Sequence, residues 1–88
     1  DNGAVKVLTE HGKSLLAVGV KSVEGHFNRG DLVSCLDDTG LEVARGLVNY
    51  SAAECLKLAG KSSSEFETII GYADDAELIH RDNMVVIV

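Results

Sequence analysis

The sequence predicts a small α+β domain in which short, curving strands and a few short helices form a mixed β pseudo-barrel. Three observations favour this class. The chain has 88 residues, which is enough for one domain and not for two. Short apolar segments typical of strands are separated by glycine, asparagine and aspartate, while proline is absent. Two short helix signals stand between hairpin-like segments, so the predicted order is helix, strands, hairpin, two helices and hairpin.

The first element is predicted to be a short helix over residues 3–12. Asn2 can cap this helix and Gly12 can end it. The prediction rests on apolar and histidine side chains that recur at helical spacing. These residues are Ala4, Val7, Leu8 and His11.

Strands are predicted for the next part of the chain. Residues 14–27 are rich in leucine and valine, and Gly19 interrupts them, which indicates a bulge or a sharp turn. Residues 31–50 are the clearest hairpin, with Gly40 placed for the positive φ of its loop. Neither face of the second arm is purely apolar, so we expect a β-bulge at Gly46 that resets the register.

Two short helices follow the hairpin. Ser51 and Glu54 form a capping box that begins a helix running to about Ala59, and Gly60 ends it. The serine-rich segment 61–64 begins the second helix. The side chains predicted to point inward are Cys55, Leu56 and Ala59 in the first helix and Phe66, Ile69 and Ile70 in the second, which Gly71 ends.

The last element is predicted to be a hairpin, with strands at 78–79 and 84–88 and turn chemistry at Arg81-Asp82-Asn83. The stretch His-Arg-Asp also matches the start of the protein-kinase catalytic loop. That loop needs an asparagine five residues after the aspartate, where this chain has Ile87. The glycine-rich loop, the strand lysine and the Asp-Phe-Gly motif are also missing, which excludes a protein kinase.

Composition and cysteine usage limit the function classes further. No apolar run approaches the ~20 residues that cross a bilayer, so no membrane partner is expected. Cys35 and Cys55 lack the spacing of metal ligands, and we expect two buried free thiols in a reducing cytoplasm. The chain begins at Asp1 and carries no signal peptide, so we expect either a processed chain or, as the favoured interpretation, a piece of a longer protein. No residue pattern predicts a catalytic or metal site.

The charge distribution weakens any interaction with nucleic acid. The net charge is −6, and the acidic residues concentrate toward the C-terminus. Only the first third of the chain is slightly basic, so only this part could face a phosphate backbone without strong repulsion.

Three stretches identify a resemblance: GKSLLAVGVKSVEGHFNRGDLV, LEVARGLVNYSAAECLKLAG and GYADDAELIHRDNMVV. In this order they resemble the C-terminal domain of bacterial glutamate 5-kinases, which belongs to the PUA family. The resemblance implies a PUA-like pseudo-barrel formed by residues 1–88 as a single domain, with an amino-acid-kinase catalytic domain upstream. It also implies that ATP and Mg²⁺ act in that absent domain, which phosphorylates glutamate in cytoplasmic proline synthesis under proline feedback. No catalytic residue or cofactor is implied for this chain.

The resemblance leaves the role of the domain open. It implies either an accessory domain that regulates the kinase through contacts with the catalytic domain or neighbouring subunits, or an RNA-binding module, or a purely structural remnant. PUA domains bind structured RNA through the first helix, the following glycine-bearing loop and a strand edge. The matching stretch is 12–20, where Val18 replaces a proline found in many RNA-binding members. The candidate RNA- or partner-facing residues are Lys13, Ser14, Lys21 and Arg29.

Overall fold

The computed structural model of this protein describes residues 3–7 and 14–87, which form two β-sheets and two short α-helices. The five-stranded sheet has the order β3-β1-β4-β5-β7, and the two-stranded sheet pairs β2 with β6. β1 runs parallel to β4, and all other neighbours are antiparallel. The elements are β1 (Gly3–Val7), β2 (Leu15–Leu16), β3 (Val20–Gly25), β4 (Leu32–Leu36), β5 (Glu42–Leu47), α1 (Ala52–Leu58), α2 (Phe66–Ile70), β6 (Glu77–Ile79) and β7 (Met84–Val86). This arrangement confirms the predicted α+β class.

The helix predicted over residues 3–12 is wrong where the structure can test it, because residues 3–7 form strand β1. Val5 and Val7 are buried while their neighbours are partly exposed, which is the two-residue period of a strand. The apolar residues of this segment fit the period of a helix as well as that of a strand. β1 lies between β3 and β4, and pairing with both neighbours makes the segment a strand. The rest of the predicted helix, residues 8–13, lies outside the described residues.

The strands predicted within residues 14–27 are confirmed, since β2 and β3 are joined by a 3₁₀ turn over Ala17–Gly19. The hairpin of residues 31–50 is also confirmed as β4 and β5, and Gly40 has a φ of 88° in its turn. The bulge expected at Gly46 is wrong. Cys35 pairs with Ala44 and Leu36 pairs with Glu42, so the extra residue is Val43.

Gly46 has a different role from the one expected. A Cβ atom on this residue would lie 2.6 Å from the backbone oxygen of Asn83 and 2.7 Å from Cγ2 of Ile79. Glycine therefore allows the segment that leads into β7 to cross close over β5.

The two helices begin and end close to the predicted positions. Ser51 and Glu54 form the capping box reciprocally, and Gly71 ends α2 with a φ of 90°. Of the three residues predicted to point inward from α1, Cys55 is buried and Ala59 packs against the core, but Leu56 is wrong because it is 62% exposed. The buried residues are Ala52, Cys55 and Leu58, which repeat every three positions along the helix.

The C-terminal hairpin was also predicted incorrectly, although both of its strands exist. β6 pairs with β2, whereas β7 pairs with β5, so the two strands belong to different sheets. A 3₁₀ turn over Arg81–Asn83 redirects the chain, and the His80 imidazole caps it by accepting a hydrogen bond from the backbone N–H of Asp82 at 3.1 Å. The backbone N–H of Asn49 donates to the Leu78 carbonyl at 2.7 Å and links the segment after β5 to β6.

The core lies between the sheets and the helices. Within residues 3–7 and 14–87, every fully buried side chain is apolar or aromatic, including Cys35 and Cys55, as predicted. These residues form one contiguous cluster, so we expect this chain to fold without an added partner. No helix in the described ranges is long and apolar enough to cross a membrane.

Candidate interaction surfaces

The candidate RNA-facing residues do not form one cluster in the part of the chain that the structure describes. Lys13 lies outside that part. The Ser14 hydroxyl accepts a hydrogen bond from the backbone N–H of Arg81 at 2.8 Å, so it connects the start of β2 to the turn before β7. Among the described atoms, no hydrogen bond or ion pair joins Ser14, Lys21 and Arg29 to one another.

Lys21 occupies a β-bulge in β3. The pairing passes from Lys6 with Ser22 to Val7 with Val20, which leaves Lys21 as the extra residue. Its ammonium group lies 3.3 Å from Oδ1 of Asp38 in the β4–β5 turn. The pair is exposed and therefore contributes little to stability, but it neutralises the lysine locally.

Arg29 is engaged by two carboxylates. Its Nη1 lies 3.3 Å from Asp74, and its Nη2 lies 3.1 Å from Asp75. Both aspartates belong to the loop that precedes β6. The guanidinium group therefore faces a site with more negative than positive charge, which is unfavourable for binding a phosphate group.

The loop that carries Asp74 and Asp75, the ion-pair partners of Arg29, is fixed to the core by two tyrosines. The Tyr50 hydroxyl donates to the carbonyl of Asp75 at 2.5 Å and accepts from the backbone N–H of the same residue at 3.1 Å. The Tyr72 hydroxyl donates to Oε2 of Glu54 at 2.6 Å, and this bond raises the pKa of Tyr72 to about 12. Burial raises the pKa of Glu54, but hydrogen bonds from Tyr72 and Ser51 lower it overall, so this carboxylate is ionised at neutral pH.

The outward side of the five-stranded sheet is a second candidate surface, which we call the open face. Its central row runs across all five strands, because the paired residues are in register. The helices contribute their buried residues to the core on the opposite side. The row consists of Glu24, Ala4, Ser34, Arg45 and Val85.

A polar network crosses the middle of the open face. Glu42 accepts hydrogen bonds from the Ser34 hydroxyl at 2.8 Å and from Nε and Nη2 of Arg45 at 3.1 Å and 2.9 Å. Arg45 and Ser34 lower the pKa of Glu42. The network therefore holds one positive and one negative charge that balance each other at neutral pH.

An open cleft of about 570 Å³ lies beside this network on the β1 and β3 side. It holds one carboxylate, Glu24, and one imidazole, His26, so it has no set of groups suited to a metal ion. Across the described ranges, no group of three or more histidine, cysteine, aspartate or glutamate residues could hold a metal. The residues that line the cleft are Gly3, Ala4, Glu24, Gly25, His26, Ser34 and Leu36.

The far side of the open face ends at the apolar strand β7. Val85 is 65% exposed, and Val86 and Ile87 are also exposed. Leu47 on β5 is exposed on the same side as Arg45. The sequence predicted a strand at this position. The exposure of its side chains depends on which sheet the strand joins, and the sequence does not show that.

The two cysteines are expected to be nearly inert in the folded protein. Burial raises the pKa of Cys35 to about 11 and that of Cys55 to about 12, so almost no thiolate is present at pH 8. We expect maleimide to modify both at least about 100-fold more slowly in the native chain than in urea. Mass spectrometry of time points measures both rates, and equal rates in the two conditions would contradict this burial.

The family model and the curated relatives that match this chain agree with each other. A family model described as the PUA domain matches residues 1–70. The chain is 61% identical over 87 residues to glutamate 5-kinase from Saccharophagus degradans, covering 99% of this chain and 23% of that protein. It is 59% identical over 88 residues to glutamate 5-kinase from Halorhodospira halophila, covering 100% and 23% respectively. The matched part is the C-terminal region of these relatives, and this confirms the resemblance predicted from the sequence.

A solved structure supports the fold. A crystal structure of a PUA domain from Aeropyrum pernix K1, described as a tartrate complex, aligns with a TM-score of 0.61 and 22% sequence identity. The alignment covers 90% of this chain and 41% of that chain. The chain therefore shares the fold of a PUA domain, and it spans about a quarter of the length of the curated relatives it matches.

Proposed function

The chain belongs to the PUA family, and on that premise we propose that residues 1–88 are the accessory, non-catalytic domain of a longer glutamate 5-kinase. In this proposal an upstream amino-acid-kinase domain transfers a phosphoryl group from ATP, with Mg²⁺, to the side-chain carboxylate of glutamate in the cytoplasm. The observation that carries the proposal is the identity of 61% over 87 residues to a glutamate 5-kinase of which the chain covers 23%.

The chemistry of the described surface supports a non-catalytic role. Phosphoryl transfer needs cationic groups or metal ions aimed at phosphates. Here Lys21 and Arg29 are paired with aspartates, and Arg45 is paired with Glu42. ATP, Mg²⁺ and glutamate are therefore assigned to the upstream domain. The domain formed by residues 1–88 is assigned a regulatory role, through contacts with the upstream domain or with neighbouring subunits.

RNA binding through Lys13, Ser14, Lys21 and Arg29 is the alternative. The net charge of −6 and the aspartate partners of Lys21 and Arg29 favour the accessory role, because an RNA backbone would have to displace those carboxylates. A titration of this chain with folded tRNA at low salt tests the alternative. Binding that Lys21→Ala and Arg29→Ala both weaken would favour RNA, whereas absence of binding at low salt would exclude it.

The accessory role is tested by removing this domain from the complete polypeptide. We expect glutamate-dependent ATP turnover to remain within about tenfold of the complete protein, because the domain supplies no catalytic group. We expect the proline concentration that halves the activity to rise by about fivefold or more, which is typical of a lost coupling between sites.

Two outcomes would contradict the proposal. A complete polypeptide without glutamate-dependent ATP turnover would refute the enzyme assignment. Unchanged turnover and unchanged inhibition after the deletion would refute a regulatory role. The capping variant Ser51→Ala in the complete polypeptide is the control, since it perturbs the stability of this domain by only about 1 kcal/mol and leaves its surfaces intact.

A further inference from the structure

We propose that the open face and its edge strand β7 form the surface on which the upstream catalytic part of the same polypeptide docks. This inference rests on the proposed function and names the surface through which the accessory role acts. Three properties of the described residues support it: an unprotected apolar edge, the position of Gly3 relative to that edge, and a balanced charge.

The edge strand lacks most of the features that keep exposed strands from pairing with other chains. β7 has β5 on one side and no strand partner on the other side within the described residues. Its segment Met84–Ile87 carries no charge, proline or glycine, and Val85, Val86 and Ile87 are exposed. Soluble proteins ordinarily protect such an edge by keeping the strand short, or with lysine, proline, a bulge or a covering segment. β7 is short, with three residues, but the described residues supply none of the other protections at β7 itself, so a covering segment from elsewhere is expected.

The position of Gly3 makes an upstream segment of the same polypeptide a suitable cover. Ala4, Ser34, Arg45 and Val85 lie in one row across the sheet. Adjacent strands are about 4.8 Å apart, so Ala4 and Val85 are separated by about 14 Å. Gly3 also lines the cleft on the open face. A polypeptide that enters the domain at Gly3 therefore enters at the start of β1, beside the cleft on the open face.

The length of the relatives provides the occupant. The chain covers 23% of the Saccharophagus degradans glutamate 5-kinase and matches its C-terminal region, so most of that protein precedes the matched part. A part tethered through a short connection has an effective concentration in the millimolar range. A small apolar surface is sufficient for docking under this condition, although it would be too weak between separate molecules.

Charge and size disfavour two other occupants. Two copies of this chain would each bring a net charge of −6, and pairing through a strand of three residues offers less than the roughly 1,000 Å² of a stable interface. RNA would need excess positive charge, whereas the ionisable side chains of the open face include two cations, Lys6 and Arg45, and two anions, Glu24 and Glu42.

The test compares the accessibility of two positions in this chain alone and in the complete polypeptide. Val85→Cys places a thiol on the edge strand, and Leu56→Cys places one on α1 at nearly equal exposure, since Val85 is 65% and Leu56 is 62% exposed. Both positions are exposed, so neither variant should disturb folding. Maleimide labelling is followed by peptide mass spectrometry, which reads the rate at each position separately from any other cysteine.

We expect position 85 to be labelled at least tenfold more slowly in the complete polypeptide than in the isolated chain, while position 56 is labelled equally in both. Equal labelling of position 85 in both proteins would overturn the proposal. Protection of position 85 that grows with the concentration of the isolated chain would overturn it in favour of a second copy, and protection that appears only with added tRNA would overturn it in favour of RNA.

Failure of this inference differs from failure of the proposed function. An accessible position 85 in a complete polypeptide whose proline inhibition still depends on this domain would refute the docking surface alone. A protected position 85 in a polypeptide without glutamate-dependent ATP turnover would refute the enzyme assignment and leave the docking surface standing.

Discussion

Gly46→Ala is expected to lower the free energy of unfolding of this chain by about 3 kcal/mol or more. The added methyl group would lie 2.6 Å from the carbonyl oxygen of Asn83 and 3.1 Å from Cα of Met84. Both are backbone atoms, so relief requires a shift of the segment that leads into β7 rather than a change of side-chain rotamer. Urea unfolding followed by circular dichroism measures the loss.

Gly40→Ala is the control for this prediction. Gly40 has a φ of 88°, and a Cβ atom there would meet nothing within 4 Å. Its substitution adds only the cost of a left-handed backbone, about 1 to 2 kcal/mol. A loss at Gly46 no larger than the loss at Gly40 would show that β7 does not cross β5 as closely as described.

Phe66→Ala is expected to destabilise the chain by about 4 kcal/mol, a large part of the total for a domain of this size. Phe66 has no exposed surface, and its ring packs edge-to-face on Tyr50 with centroids 5.5 Å apart. Loss of the ring leaves a cavity and removes an aromatic contact worth about 0.5 to 1.5 kcal/mol. Thermal and urea unfolding measure the change.

Phe66→Leu provides the matched comparison, because leucine fills part of the same volume without the ring. A loss of about half that of the alanine variant is expected. Tyr50 also carries the hydrogen bonds that fix the loop around Asp75, so Phe66→Ala should increase amide hydrogen exchange at that loop. An alanine variant as stable as the native chain would place Phe66 outside the core.

Local signals in the sequence predicted local structure well. The Ser51–Glu54 capping box and Gly40 act within a few residues of the chain, so their outcomes did not depend on the rest of the fold. The segment 3–7 has apolar residues that fit a helix or a strand, and only the neighbours β3 and β4 decide between them. The C-terminal strands were recognised individually, but their partners β2 and β5 are distant in sequence and could not be inferred from adjacency.

The candidate site illustrates the same limit for charges. The sequence identifies Lys21 and Arg29 as cations near the glycine-bearing segment. Their contact with RNA remains a prediction. The sequence does not show that Asp38, Asp74 and Asp75 lie within reach of them, because these partners come from turns far along the chain. The apolar edge was equally hidden, since Val85 looks like an ordinary strand residue until its place at the end of the sheet is known.

The place of β1 inside the sheet has a kinetic consequence. β1 is the first described strand, yet both of its neighbours come later in the chain, and one of them runs parallel to it. A parallel pair cannot form from a tight hairpin, so β1 can pair with β4 only after the chain has continued through β3 to β4. We expect the β4–β5 hairpin to close within about 1 to 10 microseconds, and the insertion of β1, which brings together distant segments, to be the slower step. Until that insertion, β4 remains an open edge, and the nascent domain is most vulnerable to pairing with another unfinished chain.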